Sequence, residues 1–131
     1  MLISESIQLS KTTHTLIASN IIRIDGKEGE YIELEDAIKM REANLTLTNG
    51  EPFCLLMNGV NSYYTYSPEA KKLFASEEYC KLRKATAFVI NSLSTRLMAS
   101  FYININKPLS PTQIFSSEEE AINWLKSIKI K

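Results

Sequence analysis

Histidine is almost missing from this chain: His14 is the only one among 131 residues, and cysteine occurs twice, as Cys54 and Cys80. One imidazole and two distant thiols cannot supply a four-ligand zinc cage, so no metal site is expected. A Ser-His-Asp triad would need His14 as its base, and nothing near it in the sequence supports that role. His14 therefore reads as an ordinary strand residue. Two thiols make no disulfide framework, and both lie among apolar neighbours, so each is expected as a free, buried cysteine. Glycine is also scarce, at four scattered positions. That spacing holds no Walker A loop and no G-x-G-x-x-G turn to cradle phosphates. No cofactor is expected.

Charge of one sign is not in excess either. Lysine plus arginine numbers 15 and aspartate plus glutamate 15, which argues against a nucleic-acid partner. No apolar run approaches the roughly 18 residues of a membrane span. The first residues, Met1-Leu2-Ile3-Ser4-Glu5, carry neither a basic region nor a long apolar stretch, so a secretory signal is not expected and the cytoplasm is the expected location. Apolar residues make up 44% and charged residues 23%, the balance of a globular domain with a real core. Residues 1–131 read as one domain, without repeat, linker or low-complexity tract.

What is present is a regular alternation of elements. Residues 6–25 are β-branched and apolar on either side of Ala18-Ser19-Asn20, the pattern of strand, turn, strand, with Ile22 and Ile24 on one face. Over residues 33–49, Leu34, Ala37, Ile38 and Leu45 fall close to helical spacing. Acids lead this segment at Glu33, Glu35 and Asp36, and Asn49-Gly50 stops it. Phe53-Cys54-Leu55-Leu56-Met57, apolar throughout, suits a central parallel strand covered on both faces. Ser67-Pro68-Glu69-Ala70 is a helix start with Ala70, Leu73 and Phe74 inward, and Ser76-Glu77-Glu78 restarts or extends it. Residues 85–90 read as a second buried strand. Leu93, Leu97, Met98, Phe101 and Ile105 recur at helical intervals before Pro108. Gln113-Ile114-Phe115 is a short last strand. Ser117-Glu118-Glu119-Glu120 is a capping box ahead of a final helix carrying Ala121, Ile122, Trp124, Leu125 and Ile128.

The order β-β-α-β-α-β-α-β-α predicts an α/β mixed sheet of about five strands with about four helices. That order resembles the STAS (anti-sigma-factor antagonist) fold. Three stretches carry the likeness: Leu55 through Val60 with Ser67-Pro68-Glu69-Ala70; Ala87-Phe88-Val89-Ile90-Asn91-Ser92 with Arg96 and Phe101 through Pro108; and Pro111 through Phe115 with Glu118 through Leu125. They resemble a group of small bacterial domains related to STAS proteins and, more distantly, to CRAL-TRIO lipid-binding domains. The resemblance implies a phosphorylatable serine at the start of the helix after the central strand, usually within Asp-Ser-Ser/Thr-Gly. Ser67 stands at that helix start and Ser62 lies in the loop before it, while the acid and the glycine of the usual context are absent.

Each candidate site has a structural reading beside the functional one. Ser67 is either a plain helix cap or a phosphorylation site, with Ser62 as a second candidate. Tyr63, Tyr64 and Tyr66 cluster in the loop beyond the central strand, where ligands of open α/β sheets bind, or else pack onto neighbouring helices. Asn91, Ser92 and Arg96 stand at the end of the second buried strand, as an anion or partner surface or as capping groups. The absence of a catalytic set makes a non-enzymatic regulatory or protein-interaction domain the expectation, with a protein partner and a homodimer both open. The alternative is a small-molecule or lipid-binding module of the CRAL-TRIO-like type, with an apolar cavity between helix and sheet.

Overall fold

Five apolar residues in a row, Phe53-Cys54-Leu55-Leu56-Met57, can all be buried only where helices cover both faces of their sheet. The computed structural model describes residues 5–60, 64–93, 96–97, 100, 103–104 and 109–129. In chain order its elements are β1 (Glu5–Gln8), β2 (Thr12–Ala18), β3 (Ile21–Gly26), β4 (Tyr31–Ile32), α1 (Leu34–Thr48) and β5 (Phe53–Asn58). They continue with β6 (Thr65–Tyr66), α2 (Pro68–Ala75), α3 (Glu77–Cys80), β7 (Arg83–Val89), β8 (Thr112–Phe115) and α4 (Glu118–Lys126). Leu93, Arg96, Leu97, Ser100, Ile103 and Asn104, between β7 and β8, are also helical.

The main sheet has six strands in the order β1-β2-β3-β5-β7-β8. The first three pair antiparallel, and β3, β5, β7 and β8 pair parallel. A separate parallel pair joins β4 to β6. This is the α/β mixed sheet expected from the sequence, with more strands. Residues 6–25 hold three strands rather than two, because Leu9-Ser10-Lys11 makes a tight turn closed by a Leu9 N–H bond to the Thr12 carbonyl at 2.8 Å.

Alternation along the central strands divides the core in two. Ile22, Ile24, Phe53, Leu55 and Met57 face α1 and α2, where Ala37, Met40, Ala70 and Phe74 meet them. Ile21, Cys54, Leu56, Ala85, Ala87 and Val89 face α4, where Ala121 and Leu125 meet them. The pairing of β5 with β7 slips by one residue between Phe53–Arg83 and Cys54–Ala85. The slip places Arg83 with the Phe53 side of the sheet, against Phe74 and Tyr79.

Helix ends follow local chemistry. The Ser67 hydroxyl accepts the Ala70 N–H at 3.0 Å with Pro68 in the first turn. Ser76 ends α2 and caps α3, so the segment restarts. Ser117 caps α4 and bonds Glu120. Asn49, at φ 54°, and Gly50, at φ 74°, stop α1 in the left-handed region. One helix face differs from expectation. Of the expected stripe, Ala37 is buried and Leu45 packs partly against the core, but Leu34 and Ile38 are exposed. Met40, Ala43, Asn44, Leu47 and Thr48 complete the inner face, and because two of these are polar, apolar spacing alone finds only part of it.

Candidate functional site

The carboxyl ends of β3, β5 and β7 are where open α/β sheets bind their ligands. Here β3 ends in Asp25-Gly26 and β5 in Asn58. The Asn58 amide donates to the Asp25 carboxylate at 2.6 Å, and its oxygen accepts the Val60 N–H at 3.2 Å. Arg23 bridges Asp25 at 3.2 Å and Glu118 at 2.9 Å. This cluster ties β3, β5 and α4 together. In the sequence Glu118 reads as part of the Ser117 capping box and Asn58 as one of the polar residues beyond the central strand, while Arg23 and Asp25 look like ordinary strand residues. Alternation was the available signal: Arg23 sits between Ile22 and Ile24, on the face that receives α4. The loop then crosses to β7, where the Gly59 N–H bonds the Val89 carbonyl at 2.7 Å. A Cβ on Gly59 would lie 3.1 Å from that carbonyl oxygen, so any larger residue would need the strands to give by a few tenths of an ångström.

Tyr64 and Tyr66 are not free rings above this loop. Tyr64 and Tyr66 meet edge to face at 5.8 Å, Tyr66 and Phe74 at 5.2 Å, and Phe74 and Tyr79 at 5.1 Å. The Arg83 guanidinium ends the series, 5.0 Å from the centre of the Tyr79 ring. The Tyr64 ring also lies on Gly26, where a Cβ would come within 2.3 Å of it. Burial pushes the Tyr64 phenol up to about 12. These rings pack: Phe74 and Tyr79 are buried in the core, and Tyr64 and Tyr66 are partly buried against it. Tyr63 and Ser62 lie outside the described residues.

Ser67 is 5% exposed and its hydroxyl is held by the cap. A kinase would have to open this turn to reach it. Asn91, Ser92 and Arg96 are exposed together at the end of β7, and the Arg96 N–H bonds the Ser92 carbonyl at 3.0 Å in a first helical turn. The following apolar residues differ from a core stripe: Leu93 is 73% and Leu97 62% exposed. Met98, Phe101 and Ile105 of the same expected stripe lie outside the described residues.

His14 is fully buried between β2 and α1. Its Nδ1 lies 2.7 Å from the Asn44 side-chain oxygen and its Nε2 2.9 Å from the Thr12 hydroxyl. An Nδ1–H donating to Asn44, with Thr12 donating to Nε2, satisfies a neutral ring. Burial holds its pKa below the usual imidazole value. The imidazole and Ser67 thus both have structural partners. Cys54 is free and buried, and burial pushes its thiol up to about 11. Cys80 is free and partly exposed; Arg83 donates to its sulfur at 2.9 Å, so its setting is less apolar than the sequence indicates. Among the described residues no group of three or more His, Cys, Asp or Glu could hold a metal ion. No described helix is long and apolar enough to cross a membrane.

A crystal structure of an uncharacterised protein of the DUF3478 family from Shewanella loihica PV-4, which has a SpoIIAA-like fold, is similar to this one. The TM-score is 0.56 at 12% sequence identity, over 94% of this chain and 92% of that one. The expected STAS-like architecture is thus present. At that identity the likeness concerns the fold alone. No curated protein matches the chain. The model of a domain of unknown function, DUF7793, matches residues 15–129, and the chain belongs to that family.

Proposed function

We propose that this chain is a non-catalytic, cytoplasmic interaction domain that engages a protein partner through the surface beyond β7. One observation carries the reading: Leu93 and Leu97, one helical turn apart, are 73% and 62% exposed beside exposed Asn91, Ser92 and Arg96. Apolar side chains rimmed by polar groups and an arginine are the composition of an interface centre. The structural roles of His14 and Ser67 support the non-catalytic part. Two free cysteines suit a reducing compartment. A regulatory role of the anti-sigma-antagonist kind is the finer form of this proposal.

The test is a pair of variants, Leu93→Asp and Leu97→Asp, with cross-linking to partners in cells and sedimentation velocity. Both should lose the partner, or the dimer if the partner is a second copy. Both should leave stability within about 0.5 kcal/mol, since the positions are exposed. Unchanged cross-links and unchanged sedimentation would sink the proposal.

The alternative, a small-molecule module, has its own observation. A cavity of about 30 Å³ lies between the sheet and the helices, lined by Ile24, Leu55, Met57, Phe74, Arg83 and Phe88 among others. A water takes roughly 10–15 Å³ of such space, so a lipid chain would enter only with movement of α1 or α2.

A further inference from the structure

Arg83 is 4% exposed, and no carboxylate among the described residues pairs with it. Its Nη2 donates to the Phe74 carbonyl and to Cys80 Sγ. The Phe74 carbonyl belongs to the last turn of α2, so part of this arrangement caps that helix. The cap does not account for Nε. That nitrogen is buried without a hydrogen-bond partner, and so is Oγ1 of Thr86, itself 5% exposed. Both residues line the 30 Å³ cavity, and Thr112, Tyr66 and Tyr79 are the other hydroxyl-bearing residues in its wall. The slip in register at Phe53–Arg83 is what brings the cation to this side of the sheet.

A buried cation without a counter-charge is unfavourable, and two orphaned donors at one cavity compound the cost. Water would satisfy the hydrogen bonds and leave the charge. We propose that the cavity is a binding site for a small monovalent anion of the formate, acetate or nitrate class, held by Arg83 Nε and Thr86 Oγ1. A single guanidinium sets the charge at minus one. The space, room for about two waters, sets the size at a few non-hydrogen atoms. The apolar remainder of the wall, Leu55, Met57 and Phe88, excludes strongly hydrated divalent anions. The site is separate from the Leu93–Leu97 surface and does not rest on the partner reading.

Ligand binding to the folded state alone raises the thermal midpoint with concentration. The midpoint is followed in sodium formate at constant ionic strength, balanced with sodium gluconate, whose anion is too large to enter. The wild type should rise saturably by several degrees. Thr86→Val, which removes only the hydroxyl, should shift half-saturation upward at least about tenfold, and Thr86→Ser should track the wild type. A crystal structure grown in formate should show a planar anion within hydrogen-bond distance of both donors. Identical midpoints in formate and gluconate, an undiminished response in Thr86→Val, or water alone in the cavity would each overturn the proposal. Should Thr86→Val fail to fold, the wild-type titration and the crystal decide.

Discussion

The two faces of the sheet solve the same problem with different materials. The face under α4 is built from small groups, Cys54, Ala85, Ala87 and Ala121, around Leu56 and Leu125. Small residues let a helix approach the strands closely, and every one of these positions is apolar. The face under α1 and α2 uses larger side chains, Met40, Met57, Phe53, Phe74 and Tyr79. Between them sit polar inclusions, Thr12-His14-Asn44 at one end and Arg83-Thr86 at the other. Large, irregular groups around polar ones leave a cavity. The comparison teaches that one sheet can carry a closed packing layer and a layer with room for binding or titration.

Core truncation tests this most strongly. Leu56→Ala, on the closed face, should cost about 4 kcal/mol, because its neighbours are alanines with little to collapse into the gap. Leu55→Ala, on the other face, should cost about 2 kcal/mol, since the enlarged cavity borders Arg83 and Thr86 and can take up water. Denaturant midpoints of both variants measure the difference. Equal losses would break the contrast between the faces.

The next effect is in pH. Burial lowers the His14 pKa in the folded state, while the unfolded chain keeps the ordinary value near 6.5. Below that value the unfolded chain binds the proton first. Stability is therefore full above about pH 6.5 and falls with decreasing pH until the lower folded value is reached, at up to about 1.4 kcal/mol per pH unit. Unfolding between pH 7.5 and 5.5 should show this slope, and His14→Gln should remove it. A slope surviving in the variant would place the titration elsewhere.

Helix caps give the smallest effect. Ser67→Ala, at a buried cap of the roomy face, should cost about 1.5 kcal/mol. Ser117→Ala, at the exposed cap of α4, should cost about 0.7 kcal/mol. Thermal midpoints rank the two, and a reversed order would count against the burial argument.

Much of the closed face was legible from sequence because it obeys single rules. The apolar run 53–57 marks a two-sided strand, and Ser117 with Glu120 marks the start of α4. The roomy face obeys several rules at once. Asn44 lies inward on α1 as the partner of His14, thirty residues away, which no local periodicity encodes, and the Thr48 hydroxyl beside it is satisfied by the Asn44 carbonyl. The strands β4 and β6 have two residues each, too short for alternation to register. Tyr64 and Tyr66 look like loop tyrosines until Gly26 and Phe74 are placed against them. Arg83 reads as a basic flank of a strand, and only the slip in pairing with β5 turns it inward. Of the candidate residues, Asn91, Ser92 and Arg96 do form an exposed group, as their hydrophilic context suggests.

The distribution of aromatic chromophores has a practical consequence. The chain has one tryptophan, Trp124, which lies on α4 at 5.6 Å from Phe115, packed against the closed face. Tyr64, Tyr66 and Tyr79 belong to the opposite side of the sheet. Indole emission therefore reports on the closed layer, and the part of the tyrosine absorbance that comes from Tyr64, Tyr66 and Tyr79 reports on the other, without any label. An event confined to the side with the cavity should move the tyrosine signal and leave the tryptophan spectrum still, whereas global unfolding moves both together.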